Sequence, residues 1–477
     1  MKNLRLASLT TSLLALALAA GCSSSGTSED LPGTGGSLGS PGSTSTGSDA
    51  PAAPTGSGPI ETPSTGGGAF SGATTGTGGV TGAGGATSSA GGSLGVGGVG
   101  DILGGPSPTP SQAQLTAGTW DDNLNFDFYQ TYLTNMAQLD GAPLIDRANR
   151  LEITVSAGPT FPLAGARVTV SDAQGKLFSS TTRGDGKLFF FPGTVGATPG
   201  TELTLAISYG GQDATITAHV GDTEAGVQLF DGWTAPAPTL DLALVVDTTG
   251  SMGDELAFLQ REMAAILGQV SRDFPGVAQR WSAIFYRDTQ DEYVVRTFDF
   301  TSSIDTIQTE LAAQSAAGGG DLPEAPDQAL AKLSTLSWRP DSVARMAFWI
   351  ADAPHHAAQA TTMAQDILTA HGLGIRIYPI AASGTDDLLE YTMRTAAEVT
   401  GGRYLFLTND SGIGGDHKEP TIPCYTVTTL HAAMMRMIDM ELTGTDAQPA
   451  PADVIRTAGH PVDGRCTTDS GEVVTIL

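Results

Sequence analysis

The chain has 477 residues, with 50 acidic against 23 basic side chains and a formal net charge of −27 at neutral pH. That length exceeds one ordinary domain and predicts two or three folded units joined by linkers. The charge argues against nucleic acid as a partner and against an anionic membrane met through a basic surface; it is compatible with divalent cations, and equally with a merely well-solvated surface.

In chain order, residues 1–22 read as a signal peptide: Lys2 and Arg5, an apolar run from Leu13 to Ala20, then small residues up to Cys22. The run is too short to span a bilayer as a mature helix. Ala19-Ala20-Gly21-Cys22 resembles a bacterial lipobox, with Ala19 where that family usually has Leu. The resemblance implies that Cys22 is acylated and becomes the mature N-terminus, so the membrane is met only through a lipid anchor. Ser23 after the cysteine implies an outer-membrane lipoprotein of the cell envelope, facing the surface or the periplasm. Residues 23–116 are dominated by Gly, Ser, Thr, Pro and Ala, with Phe70 the one aromatic side chain up to Leu115 and no Lys or Arg over that stretch. Such a composition cannot bury enough apolar surface to offset its ordering entropy. It predicts a disordered tether with a root-mean-square span of roughly 50 Å or a little more.

Residues 117–147 open on an aromatic and acidic run, Trp120 to Tyr129, read as a docking segment for the domains behind it. Residues 148–232 alternate in the β manner at Leu151, Ile153 and Val155, at Val168 and Val170, at Leu203, Leu205 and Ile207, and at Ala214, Ile216 and Ala218. Turn signals at Gly175 and Gly184-Asp185-Gly186 separate the runs. The spacing predicts a small all-β, antiparallel sandwich, and the runs Leu163–Val170, Asp172–Gly175 and Gly184–Phe190 resemble carboxypeptidase-regulatory-like and immunoglobulin-like modules. Arg183-Gly184-Asp185 is an integrin-ligand tripeptide, but a hairpin turn needing Gly and Asp accounts for it.

Residues 239–444 switch to buried apolar runs alternating with helical stretches. Strands are expected at 240–246, 281–286, 344–351, 375–381 and 404–407, with an antiparallel edge strand at 293–300. Helices are expected at 252–270, 324–336, 356–371, 386–399 and 427–440. The pattern predicts an α/β fold, a doubly wound and mostly parallel sheet covered on both faces, with ligands beyond the carboxyl ends of its strands. Residues 445–477 form a C-terminal extension.

Three acidic clusters fall at those strand ends: Asp247-Thr248-Thr249-Gly250-Ser251, Gly318-Gly319-Gly320-Asp321-Leu322-Pro323-Glu324, and Asp352. Oxygen donors converging from three loops suit Mg²⁺ first, with Ca²⁺ and Mn²⁺ as the other hard cations, and not zinc. Asp247, Thr249 and Ser251 match the D-x-[ST]-x-S of the metal-ion-dependent adhesion site (MIDAS), so this region resembles von Willebrand factor A (vWA) domains, in particular the hemicentin-like and bacterial branch. The resemblance implies a metal held by Asp247, Thr249, Ser251, Asp321 and Asp352, with Asp321 where integrin-type domains have Thr. It also implies a partner whose acidic group enters the metal shell. A third carboxylate around one dication weakens the draw on such an acid. Taken alone, Ser251 is as readily a helix cap as a ligand; Asp254 and Glu255 resemble the auxiliary metal site of integrin β chains, but acids in a first helical turn that favour the macrodipole account for them. His355 and His356 lack a third zinc ligand. The loop Thr408 to His417, carrying Asp410 and Asp416, leaves from the same sheet end and reads as a wall of the binding surface or as a plain polar loop.

Export into an oxidising compartment predicts a Cys424–Cys466 disulfide, restricting the unfolded chain by roughly 4 kcal/mol on a chain-entropy argument. Three functions are compatible with these features. The first is a metal-dependent adhesion or protein-binding module with an unidentified protein or glycan ligand. The second is a structural envelope protein whose metal only stabilises the fold. The third is a metal-assisted hydrolase, disfavoured because no Ser-His-Asp spacing, paired catalytic carboxylates or P-loop is present; the chain is expected not to be an enzyme.

Overall fold

The computed structural model describes residues 114–159, 161–230, 239–320, 322–340, 344–468 and 470–476. Cys22, the tether up to residue 113, and Asp321 lie outside the described residues. Among those described, no helix is long and apolar enough to cross a membrane.

The aromatic and acidic segment forms β1 (Thr116–Trp120) and α1 (Phe126–Asn135). The β region comprises β2 (Leu151–Ser156), β3 (Arg167–Asp172), β4 (Gly175–Thr181), β5 (Lys187–Phe190), β6 (Glu202–Tyr209), β7 (Gln212–His219) and β8 (Glu224–Gln228). These make a three-stranded sheet, β5-β2-β8, and a four-stranded sheet, β4-β3-β6-β7. Leu151, Ile153 and Val155 from one sheet and Val168, Val170, Leu203, Leu205 and Ile207 from the other share one core, as period-2 patterning requires. The pairing is not wholly antiparallel, because β8 runs parallel to β2. The chain changes sheet between β7 and β8, so no hairpin dictates the direction of β8.

The larger unit continues with β9 (Thr239–Asp247), α2 (Leu256–Asp273), β10 (Ala278–Tyr286), β11 (Val295–Thr301), α3 (Ile304–Ala312), α4 (Pro326–Leu333), β12 (Ala344–Ala351), α5 (Ala360–Gly372), β13 (Arg376–Ala381), α6 (Asp387–Thr400), β14 (Tyr404–Leu407), β15 (Tyr425–Thr429), α7 (Leu430–Thr443) and β16 (Arg456–Ala458). A nine-stranded sheet has the order β11-β10-β9-β12-β13-β14-β1-β15-β16. Strands β10, β9, β12, β13 and β14 are mutually parallel. β11 is the antiparallel edge, and β1 lies antiparallel between β14 and β15. Leu240 to Val246 and Ala344 to Ala351 are buried throughout, as expected where helices cover both faces. The helix expected over 427–440 starts later: Val427 is in β15, and Thr429 caps α7 by accepting from Ala432 N at 3.2 Å. α3 occupies a stretch for which the sequence pattern predicts no element.

β17 (Arg465–Thr467) and β18 (Val473–Thr475) form a separate ribbon. Cys424 and Cys466 are disulfide-bonded and fasten that ribbon to the start of β15. Arg183-Gly184-Asp185 is packed inward: Arg183 holds Asp185 at 2.7 and 2.8 Å, and Gly184 N donates to Glu441 Oε2 at 2.9 Å. The tripeptide joins the β sandwich to α7.

Candidate functional site

β9 is the first strand, in chain order, of the parallel set in the nine-stranded sheet. The chain then places β10 on one side of it and β12 on the other. The carboxyl ends of β9 and β12 therefore diverge at a topological switch point, where open α/β sheets form a crevice. Asp247 ends β9 and Asp352 comes directly after β12.

Asp247 is fully buried. Its Oδ1 accepts from Thr249 N at 2.9 Å and from Thr249 Oγ1 at 2.7 Å. Thr249 Oγ1 lies 3.2 Å from Ser251 Oγ, and Ser251 and Asp352 line the same cleft. Thr248, between them, turns the other way, donating to Tyr286 O and meeting Tyr293 Oη. The structure thus brings Asp247, Thr249, Ser251 and Asp352 together. Asp247 Oδ2 and Asp352 Oδ1 are buried without any hydrogen-bond partner. Burial raises the Asp247 carboxyl above the ordinary carboxylate range, and Asp352 adds to the rise. Burial likewise raises Asp352, with the nearby Ser251 hydroxyl opposing the rise.

Glu324 was not singled out in the sequence as a site residue. It is 1% exposed, its Oε2 has no partner, and burial together with Asp247, Asp288 and Asp352 pushes its carboxyl up to about 9. Its backbone is fixed by donation to Pro354 O at 2.9 Å. The glycines before it let the loop approach: Gly318 O accepts from Gly250 N at 3.2 Å, with φ of +79° at Gly318 and +80° at Gly319. The signal that could have found Glu324 is an acid placed just after a Gly-rich loop and Pro, facing the Asp247 loop.

Unpaired carboxylate oxygens beside two hydroxyls, with no basic side chain bonded to them, are the donor chemistry of a hard divalent cation. The residues present fit such an ion. Among the described residues no three His, Cys, Asp or Glu side chains converge on one point as ligands; the donor set is two carboxylates with two hydroxyls, and Asp321 lies outside the described residues.

The neighbouring acids are committed elsewhere. Glu255 is buried against His417 Nε2 at 2.6 Å, and Asp254 accepts from Gly415 N at 2.5 Å. His417 N and Nδ1 both meet Asn409 Oδ1, at 3.0 and 2.9 Å. These bonds dock the 408–417 loop beside the site. Gly415 and Asp416 then line a cleft of about 380 Å³ with Ser251, Leu322, Asp352, Ser383 and Gly384, whereas Asp410 turns away to Arg456 at 3.0 Å. The adjacent histidines part company, His355 Nε2 meeting Gly141 O at 2.9 Å and His356 Nε2 meeting Asp288 Oδ1 at 2.6 Å.

No family model matches the chain. Over 186 residues it is 31% identical to the "Putative ariadne-like RING finger protein R811" of Acanthamoeba polyphaga mimivirus, an alignment covering 35% of this chain. The chain spans 18% of the length of that curated relative. Among solved structures it is similar to BatB from Bacteroides thetaiotaomicron, at 15% identity over 35% of this chain and 89% of the other, with a TM-score of 0.28. A von Willebrand factor type A structure from Catenulispora acidiphila is 10% identical over 50% of this chain and 45% of its own, TM-score 0.27. The pilus adhesin SpaC from Lactobacillus rhamnosus GG, in an open conformation, is 11% identical over 43% of this chain and 30% of its own, TM-score 0.29.

Proposed function

We propose that the chain is a vWA-type binding module of the cell envelope, carried on acylated Cys22 and a flexible tether, that engages a protein or glycan through a divalent cation. Mg²⁺ would be held by Asp247, Thr249, Ser251 and Asp352, with Asp321 by its place in the motif. The cation would supply positive charge that offsets the buried carboxylates and an electrophilic point at the floor of the cleft. The chain's own part is to orient the donors and to wall the cleft with Leu322, Ser383 and the docked 408–417 loop. The single observation that carries this reading is the pair of buried, unpartnered oxygens on Asp247 and Asp352 at the switch point.

The test has two arms. Calorimetric titration of Mg²⁺, Ca²⁺ and Mn²⁺ into chelator-stripped protein should give one saturable site, weakened at least tenfold in Asp247→Ala and Asp352→Asn. Capture of a partner from intact cells should require the metal and be lost in Asp247→Ala, whose melting temperature in chelator stays near that of the parent. Absence of any metal binding sinks the proposal. Failure of Asp247→Ala to fold moves the metal to the purely structural role.

A further inference from the structure

A second cleft, of about 470 Å³, is lined by Thr289, Asp327, Gln328, His356, Ala358 and Gln359. It is built from the turn after β10, the first turn of α4 and the segment leading into α5, and it shares no lining residue with the cleft over Asp352. Asp327 is 5% exposed. It sits in the first turn of α4, at the favourable end of the helix dipole for an acid. Yet Asp327 Oδ1 is buried without a partner. Burial raises its carboxyl above the ordinary range. Behind it on α5, Asp366 also has an unpartnered oxygen, Oδ2, and burial followed by repulsion from Asp327 pushes that carboxyl up to about 6. No Lys or Arg is among the described residues that line the cleft.

The other lining groups are neutral hydrogen-bonding side chains and one fixed imidazole. His356 Nε2 lies 2.6 Å from Asp288 Oδ1; donation of Nε2–H to that carboxylate leaves Nδ1 as an acceptor. Asp327 is desolvated, with the His356 imidazole favouring its charge and Asp288 opposing it; no Lys or Arg offsets the burial, and its cost falls when a cation with several N–H donors enters. An acidic ligand would face Asp327 and Asp288 together.

We propose that this cleft binds an organic cation, an alkylammonium or guanidinium group, with Asp327 as the anchoring carboxylate and the lysine or arginine side chain of a bound protein as its source. The site is independent of the divalent-cation reading, so it is tested with chelator present throughout. Ligand-observed NMR titration of the full chain with N-acetyl-lysinamide and N-acetyl-argininamide should saturate, while the neutral N-acetyl-norleucinamide should not. Asp327→Asn should weaken binding at least tenfold, and Ala358→Trp, which fills the cleft from its exposed side, should abolish it without touching Asp327. Markedly tighter binding of putrescine would keep the organic-cation assignment and identify the source as a free diamine. Equal binding by the norleucine compound, equal binding to both variants, or no saturable binding at all overturns the proposal.

Discussion

Gly319 has φ of +80°, and a Cβ there would stand 2.7 Å from Glu324 Oε1 and 3.0 Å from the Thr249 Cβ. A side chain at this position is strained in its backbone and crowds two groups of the candidate site at once. Gly319→Ala should therefore destabilise the protein by about 1–3 kcal/mol and weaken Mg²⁺ binding more than it lowers stability; calorimetry against urea midpoints separates the two. Asp247 and Asp352 were legible in the sequence because each comes directly after a buried apolar run. Glu324 was not, since its loop is pinned by a backbone bond to Pro354 O, a long-range contact no local pattern announces. His371 gives a pH prediction. Burial lowers its imidazole to about 3, between the rings of Phe178 and Phe191. Below the unfolded value of about 6.5 the unfolded chain takes up a proton that the folded chain refuses, so stability present above that pH is lost as pH falls towards about 3. The loss is roughly 2–3 kcal/mol by pH 4.5. His371→Phe removes it: the stability of parent minus variant should fall by that amount between pH 7.5 and 4.5 in urea titrations, and a constant difference would show the imidazole does not titrate on unfolding.

Among the elements, β9, β12, β13 and β14 were readable as predominantly apolar runs, although Asp241, Arg345 and Arg376 sit near the starts of the first three. β1 was not, because Thr-Ala-Gly-Thr-Trp neither alternates nor forms an apolar run; its place is set by tertiary fit. Gly118 admits the Phe406 ring, whose Cζ would lie 2.3 Å from a Cβ there. The end of β15, Val427 to Thr429, reads as the start of the helix after it, since no Gly or Pro marks the junction. α6 carries Glu390, Arg394 and Glu398 at i, i+4 spacing, which ordinarily marks a solvated face. Here residues Leu389 to Thr400 are all buried, because the β1–α1 segment covers that face. Arg394 pairs with Asp122 at 2.7 Å and with Glu390 at 3.2 Å and stacks over Tyr132 at 3.8 Å; Arg147 reaches Glu398 at 2.8 Å. Removing one member leaves buried charge uncompensated. Arg394→Met should cost about 3–5 kcal/mol, and adding Asp122→Asn to it should restore part of that loss rather than deepen it. Additive losses in the double variant would mean the segment is held by apolar packing alone.

At the scale of the whole molecule, the β sandwich and the nine-stranded sheet are joined through polar contacts reaching into both. Arg376 Nη2 donates to Thr181 O at 2.6 Å, Arg183 Nη1 to Gly401 O at 3.0 Å, and Ser180 Oγ to His371 O at 2.6 Å. At the centre of this junction Gly184 leaves no room, since a Cβ would stand 2.2 Å from Met440 O and 2.7 Å from Glu441 Cα. Glu441, fully buried, takes Gly184 N on one oxygen and the Tyr378 hydroxyl at 2.7 Å on the other. The tripeptide that resembles a recognition signal is thus a fastening between the sandwich and α7, and its glycine is required by backbone approach. Desolvated junctions of this kind make neighbouring units unfold together, because opening one exposes unpaired polar groups of the other. The parent should melt in one calorimetric transition. Gly184→Val forces the sandwich off α7 while leaving both cores intact, so it should split that transition into two, the lower one belonging to the sandwich with its smaller core. Cation binding at Asp247 should shift the upper transition alone in that variant, whereas in the parent it shifts the single transition that both units share.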